Sequence, residues 1–194
     1  GSINFDGNDF VPLANSAFTL TDHSITFWTK LGNPQPAGWR TFVGSIIGTS
    51  FEIDLNTGDN FINLYTYSQL KSSFELNLGV WYHIAVTRNS SGTSLYINGI
   101  YNTGNTIATT INCTLQLGKW QTSQFFYGQI RNFSLFSRIL SASDVLRDCY
   151  SSSQKIQFWR SREKTDESLL DLLRRNFHQS FANVTDARAW LTNN

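Results

Sequence analysis

Between Trp81 and Ile100 apolar and polar positions alternate with a period of two. Tyr82, Ile84 and Val86 fall on one side and His83, Ala85 and Thr87 on the other, in a run rich in aromatic and β-branched residues. That alternation predicts a half-buried strand. Asn89-Ser90-Ser91-Gly92 breaks the run with turn-forming residues, and Leu95 with Ile97 resumes it. Asn98-Gly99 is a pair that tolerates positive φ at both positions, so the chain is expected to reverse again there. The segment thus predicts two strands and the start of a third. A meander with one apolar face needs a second layer to cover it, which makes a β-sandwich the expected architecture.

The same residues carry a family likeness. Trp81-Tyr82-His83-Ile84-Ala85-Val86-Thr87-Arg88, a short polar turn, then Ser94-Leu95-Tyr96-Ile97-Asn98-Gly99 resembles the most characteristic stretch of laminin-G-like domains, also called concanavalin A-like lectin/glucanase domains. Ile3-Asn4-Phe5-Asp6-Gly7 resembles their opening strand, and Ile25-Thr26-Phe27-Trp28 a strand that reads apolar-x-apolar-Trp. Leu115-Gln116-Leu117-Gly118 with Tyr127-Gly128-Gln129-Ile130-Arg131-Asn132-Phe133 resembles the closing strand pair, and Phe136 to Val145 the last strand and short terminal helix. Five pieces in the family's order imply an all-β, pentraxin-like jelly roll of two antiparallel sheets over residues 3–153.

Past Ser151-Ser152-Ser153 the period changes. Leu169, Leu172, Leu173, Phe177, Phe181 and Val184 recur at three- and four-residue spacing, while Gly and Pro vanish. Residues 154–194 are therefore read as an amphipathic helical extension that packs on the sandwich or reaches a partner or a next domain. Gly1-Ser2 looks like a cloning scar, and with Met absent the chain reads as part of a longer protein.

Composition narrows the function classes. Charged residues make up 15% and aromatic residues 14% of the 194, and the formal net charge is +1. That balance offers no field for nucleic acid or an anionic membrane. No apolar run approaches the roughly 20 residues of a membrane helix. Cys113 and Cys149 lack C-x-x-C spacing, and His23, His83 and His178 are scattered, so no zinc or redox signature exists. A disulfide between the two cysteines, worth about 3–4 kcal/mol by loop-entropy scaling, and two buried thiols are equally compatible with the sequence. Of four N-glycosylation sequons (Asn89, Asn112, Asn132, Asn183), Asn132 falls in an expected core strand.

Glu52-Ile53-Asp54-Leu55-Asn56 is the one segment that invites a catalytic reading. Retaining glucanases of this broad fold carry a Glu-x-Asp-x-Glu strand whose alternation puts all three acids on one face. The outer two act as nucleophile and acid/base, about 5–5.5 Å apart. Here an amide, Asn56, stands in the third position and cannot shuttle a proton. Ordinary alternation accounts for the rest, with Phe51, Ile53 and Leu55 inward and Glu52 and Asp54 outward. The expectation is a recognition module that is not an enzyme.

Two ligand chemistries suit such a module. Sugar rings stack their C–H faces on aromatic side chains, while their hydroxyls bond to amides, carboxylates and guanidinium groups. Trp39-Arg40, after a Pro/Gly-rich loop, and Lys119-Trp120-Gln121 supply those parts and are the candidate ligand contacts. Trp28 and Trp81, on alternating strands, are expected in the core. The alternative is adhesion to a protein partner through the same loops, which the likeness to laminin-G-like domains also implies, with a location outside the cell or on a virion surface. Many members of that family hold calcium. Asp6-Gly7-Asn8-Asp9 and Asp54 with Asn56, Asp59 and Asn60 are oxygen-rich, yet neither has the spacing of a known calcium loop, and turn chemistry explains both.

Overall fold

The structure, a computed structural model, describes residues 1–13, 17–48, 51–65, 69–107 and 110–152. Strands are numbered in chain order. One sheet runs β1 (Ile3–Asp6), β13 (Tyr127–Phe136), β4 (His23–Leu31), β9 (Trp81–Asn89), β10 (Gly92–Ile97) and β11 (Ile100–Asn105). The other runs β2 (Val11–Pro12), β12 (Ile111–Leu117), β5 (Arg40–Gly48), β6 (Glu52–Leu55), β7 (Phe61–Tyr65) and β8 (Gln69–Glu75), with β3 (Phe18–Leu20) also paired to β12. Every pairing is antiparallel. The sandwich expected from the alternating pattern is the one observed. The helical extension expected over 154–194 lies outside the described residues.

The inward faces follow the period of two. Ile25 and Phe27 of β4, Tyr82, Ile84 and Val86 of β9, and Leu95 and Ile97 of β10 meet Phe42, Val43, Ile53, Leu55, Ile62, Leu64, Leu115 and Leu117 from the second sheet. Phe42 sits at the centre of this layer, its ring 5.5 Å from that of Phe27 and 4.8 Å from that of Phe126. Burying a side chain of this size contributes about 1.5–3 kcal/mol, so these positions fix which face of each strand turns inward. Both reversals of the central meander occur where the sequence placed them. Asn89 pairs with Gly92, and Ile97 with Ile100 across Asn98 (φ 54°) and Gly99 (φ 84°), a primed turn.

A helix, α1 (Ala142–Ser152), closes the outer face of the first sheet. Ser141 caps it: the Asp144 amide donates to Ser141 Oγ at 3.1 Å, and the Ser141 amide donates back to Asp144 Oδ2 at 3.2 Å. This reciprocal arrangement satisfies two otherwise orphaned donors. Leu140 and Val145 then pack on Ala85, with Tyr96 and Phe136 beside them.

Two expectations are corrected and one open alternative is settled. Trp28 is buried as expected, but Trp81 is only half-buried, and both stand on the outer face of the first sheet rather than in the inter-sheet core, opposite Phe27 and Tyr82. Of the two alternatives left open for the cysteines, buried thiols are the one observed: Cys113 faces the core from β12, Cys149 lies in α1 on the far side of the first sheet, and no disulfide joins them. Asn132 is exposed at a bulge in β13 with φ 51°, rather than inside a regular core strand.

Candidate functional site

The outer face of the second sheet carries a band of polar side chains. Because Ile53, Leu55, Ile62 and Leu64 point into the core, Glu52, Asp54 and Asn63 must point the other way. Register sets the rows: Thr41, Asp54 and Asn63 lie abreast on β5, β6 and β7, while Gln116, Gly44, Glu52 and Tyr65 form the neighbouring row. The outward direction matches the sequence reading, but the environment does not, since Glu52 is only 4% and Asp54 1% exposed. Thr41, Asn63 and Gln116 are equally buried. Asp54 Oδ1 and Asn63 Nδ2 have no hydrogen-bond partner among the described residues.

Burial raises the carboxyl pKa of both Glu52 and Asp54, and for Asp54 the adjacent Glu52 charge raises it further. Two carboxyls two residues apart on one buried face cannot both ionise cheaply, so the pair retains a proton above the ordinary carboxylate range.

Across this band lies the loop between β12 and β13. Gly44 makes the contact feasible: a β-carbon there would stand 2.5 Å from the Lys119 carbonyl oxygen and 2.9 Å from Trp120 Cα. The loop is stitched along β5 at two points. The Gln121 amide donates to the Ser45 carbonyl at 3.1 Å, and the Thr41 amide donates to the Gln124 carbonyl at 2.9 Å. Thr41 Oγ1 also donates to Gln124 Oε1 at 3.2 Å. Trp120 and Ser123 exchange backbone bonds of 3.1 and 2.9 Å, which closes the loop tip.

Each candidate contact can now be placed. Lys119 and Trp120 are half-buried and Gln121 is exposed, together on this loop. The Lys119 ammonium lies 3.5 Å from the ring centroid of the exposed Phe10, a neighbour distant in sequence, and 5.3 Å from that of Phe125 on the same loop. Trp39 is half-buried just before β5, two residues from Thr41. Arg40, in contrast, is 3% exposed, and its guanidinium donates to the carbonyls of Pro36, Asn56 and Asp59. It ties the loop preceding β5 to the turn after β6. Trp39 thus precedes the first residue of β5, whereas the Trp120 backbone lies over Gly44 in the middle of that strand.

The oxygen-rich turns are occupied locally. Asp6 Oδ1 accepts from the Asn8 amide, and Asp59 accepts from Asn56 Nδ2, Lys71 Nζ and the Phe61 amide. Among the described residues no group of three or more His, Cys, Asp or Glu side chains is gathered in one place.

A family model described as the concanavalin A-like lectin/glucanases superfamily matches residues 5–146. The chain belongs to this superfamily. No curated protein matches the sequence. Solved concanavalin A-like structures share its fold. Domain 4 of AbnA, a GH43 extracellular arabinanase from Geobacillus stearothermophilus, in complex with arabinotriose, is 19% identical with a TM-score of 0.59, covering 76% of each chain. The CBM40 of the Ruminococcus gnavus IT-sialidase, bound to α2,3-sialyllactose, is 13% identical with a TM-score of 0.63, covering 75% of this chain and 95% of that one. A SAP-like pentraxin from Limulus polyphemus is 13% identical with a TM-score of 0.61, covering 78% of this chain and 81% of its own. At these identities the likeness is one of fold.

Proposed function

We propose that this protein is a non-catalytic recognition module that binds a saccharide or glycoconjugate at the loop laid over the second sheet. One observation carries the reading. Backbone bonds to Ser45 and Thr41 hold residues 119–124 in place while Lys119, Trp120 and Gln121 keep an outward surface, with Phe10 and Phe125 beside Lys119. Indole and phenyl faces suit the C–H face of a pyranose or furanose ring, and the Gln121 amide and Lys119 ammonium suit its hydroxyls. Arg40 ties the loop that carries Trp39 to the turn after β6. The fold's company also supports the reading, since AbnA domain 4 and the CBM40 were solved with arabinotriose and sialyllactose.

Hydrolysis fits the residues less well. Glu52 and Asp54 are buried together, their register neighbours Gly44, Tyr65, Thr41 and Asn63 include no acid, and the Asn56 amide is given to Asp59. A binding role places the module outside the cell, on a surface or secreted protein. Among the described residues no helix is long and apolar enough to cross a membrane.

A glycan array probed with the protein tests this directly. Binding to a defined set of glycans, with no new reducing ends on incubation with β-glucans or with the bound glycans, supports the proposal. A blank array beside a captured protein partner would favour the adhesion alternative, and released reducing sugar would make the protein an enzyme.

A further inference from the structure

The outer face of the first sheet holds a second constellation that the rim does not use. Beside α1, the register aligns Asn4, Gln129, Lys30 and Trp81 in one row across β1, β13, β4 and β9, and Arg131, Trp28 and His83 in the next. The Arg131 guanidinium carbon lies 4.2 Å from the Trp81 ring centroid and 5.2 Å from that of Trp28. On the row edge the Lys30 ammonium is 5.5 Å from the same Trp81 ring. Gln129 Nε2 donates to Asn4 Oδ1 at 3.5 Å, which extends the row with two amides.

The electrostatics of this strip are one-sided. Lys30 and Arg131 make no ion pair among the described residues, and Arg131 Nε is buried without a hydrogen-bond partner there. Asp148 Oδ2, on α1, lies 3.1 Å from His83 Nε2 and is engaged by that ring. Arg131 is half-exposed, lies against two indoles and has no ion-pair partner among the described residues, so a bound oxyanion could add charge-assisted hydrogen bonds there. The bulge that follows Arg131, with Asn132 at φ 51°, is the kind of irregularity that re-aims a side chain at a site. Four strands abreast give the strip a width of about 15 Å, room for several sugar rings laid on half-exposed Trp81.

We propose that this strip is a second saccharide-binding surface, specific for a sugar that carries a carboxylate or sulfate. Trp81 supplies the stacking face, Arg131 and Lys30 take the oxyanion, and Asn4 and Gln129 take hydroxyls. The strip lies on the opposite side of the sandwich from the Trp120 loop, so the two sites are separable by mutation.

Titration calorimetry of the whole chain with three probes tests the proposal: a galacturonic acid trimer, a sulfated galactose oligosaccharide and neutral galactotriose. Binding of either acidic probe with at least about tenfold preference over the neutral one is expected, with affinity lowered about tenfold in Arg131→Gln or Trp81→Ala. Trp120→Ala should leave that binding unchanged. Should Trp81→Ala misfold, Lys30→Gln, on a half-exposed side chain, still reads the oxyanion contact as a several-fold loss. Preference for the carboxylated or the sulfated probe tells which oxyanion the strip takes. No binding of either acidic probe, equal binding of galactotriose, or loss of binding in Trp120→Ala rather than Arg131→Gln would overturn the proposal.

Discussion

Gly99 lies directly beneath Leu146 of α1: a β-carbon on the glycine would stand 2.8 Å from the leucine Cδ1 and 3.3 Å from its Cα. One residue therefore serves two contacts, because its φ of 84° also closes the hairpin between β10 and β11. The sequence announced the turn, while the seat for the helix emerges only in three dimensions. Gly99→Ala meets both a left-handed backbone and a packed helix, so it should cost about 2 kcal/mol of unfolding free energy. Urea denaturation measures it, and a loss under about 0.5 kcal/mol would mean α1 does not rest on this turn.

Arg40 separates support from contact. Removing its guanidinium leaves the carbonyls of Pro36, Asn56 and Asp59 without their donor. Arg40→Ala should therefore lower stability by about 2–3 kcal/mol, and Arg40→Lys should restore little of it, because an ammonium cannot reproduce the planar fork. Thermal unfolding of the two variants checks this. A fully stable Arg40→Ala would return the residue to the list of direct ligand contacts.

The buried carboxyls make stability fall as pH rises. Glu52 and Asp54 have folded pKa values above their unfolded ones, so over that interval the folded state holds more protons and each step up in pH favours unfolding. Asp54→Asn removes one ionisation and should flatten the decline between the ordinary carboxylate range and mildly alkaline pH. Denaturant midpoints collected from pH 5 to 9 on both proteins give the comparison, and identical slopes would show that the pair carries no such linkage.

His23 acts on the opposite limb. Burial, with the Arg88 charge adding to it, lowers its pKa from 6.5 to about 4. The folded state then binds fewer protons than the unfolded chain, and stability present above pH 6.5 is lost as pH falls toward 4. The loss is on the order of 3 kcal/mol for a shift of this size. His23→Gln should be less sensitive to acid than the parent. Stronger acid sensitivity in the variant would contradict the assignment.

Strand identity and facing were legible because they depend on local alternation: Tyr82, Ile84 and Val86 go inward as the period requires. What alternation cannot supply is which outward face stays wet. Large residues on strands suggest core packing for Trp28 and Trp81, yet the period sets both opposite Phe27 and Tyr82, where Trp28 is buried and Trp81 only half-buried. Glu52 and Asp54 were read as outward, and are, but their burial beside Asn63 and Gln116 depends on cross-strand register and on how the loops lie. One signal was present: a lone Asn63 between Ile62 and Leu64, and Gln116 between Leu115 and Leu117, mark polar rows on otherwise apolar strands. The approach of Phe10 to Lys119 had no sequence signal, since the two are more than a hundred positions apart, whereas Phe125 lies on the same loop as Lys119.

The most direct test of saccharide recognition at the rim uses the indole N–H signals of the six tryptophans. A two-dimensional nitrogen–proton spectrum, assigned by single Trp→Phe variants, is followed while a glycan selected on the array is added. Recognition at the rim predicts that the Trp120 signal shifts in a saturable manner, with Trp39 moving when the ligand spans β5. Saturable binding that leaves both Trp39 and Trp120 unmoved would contradict it.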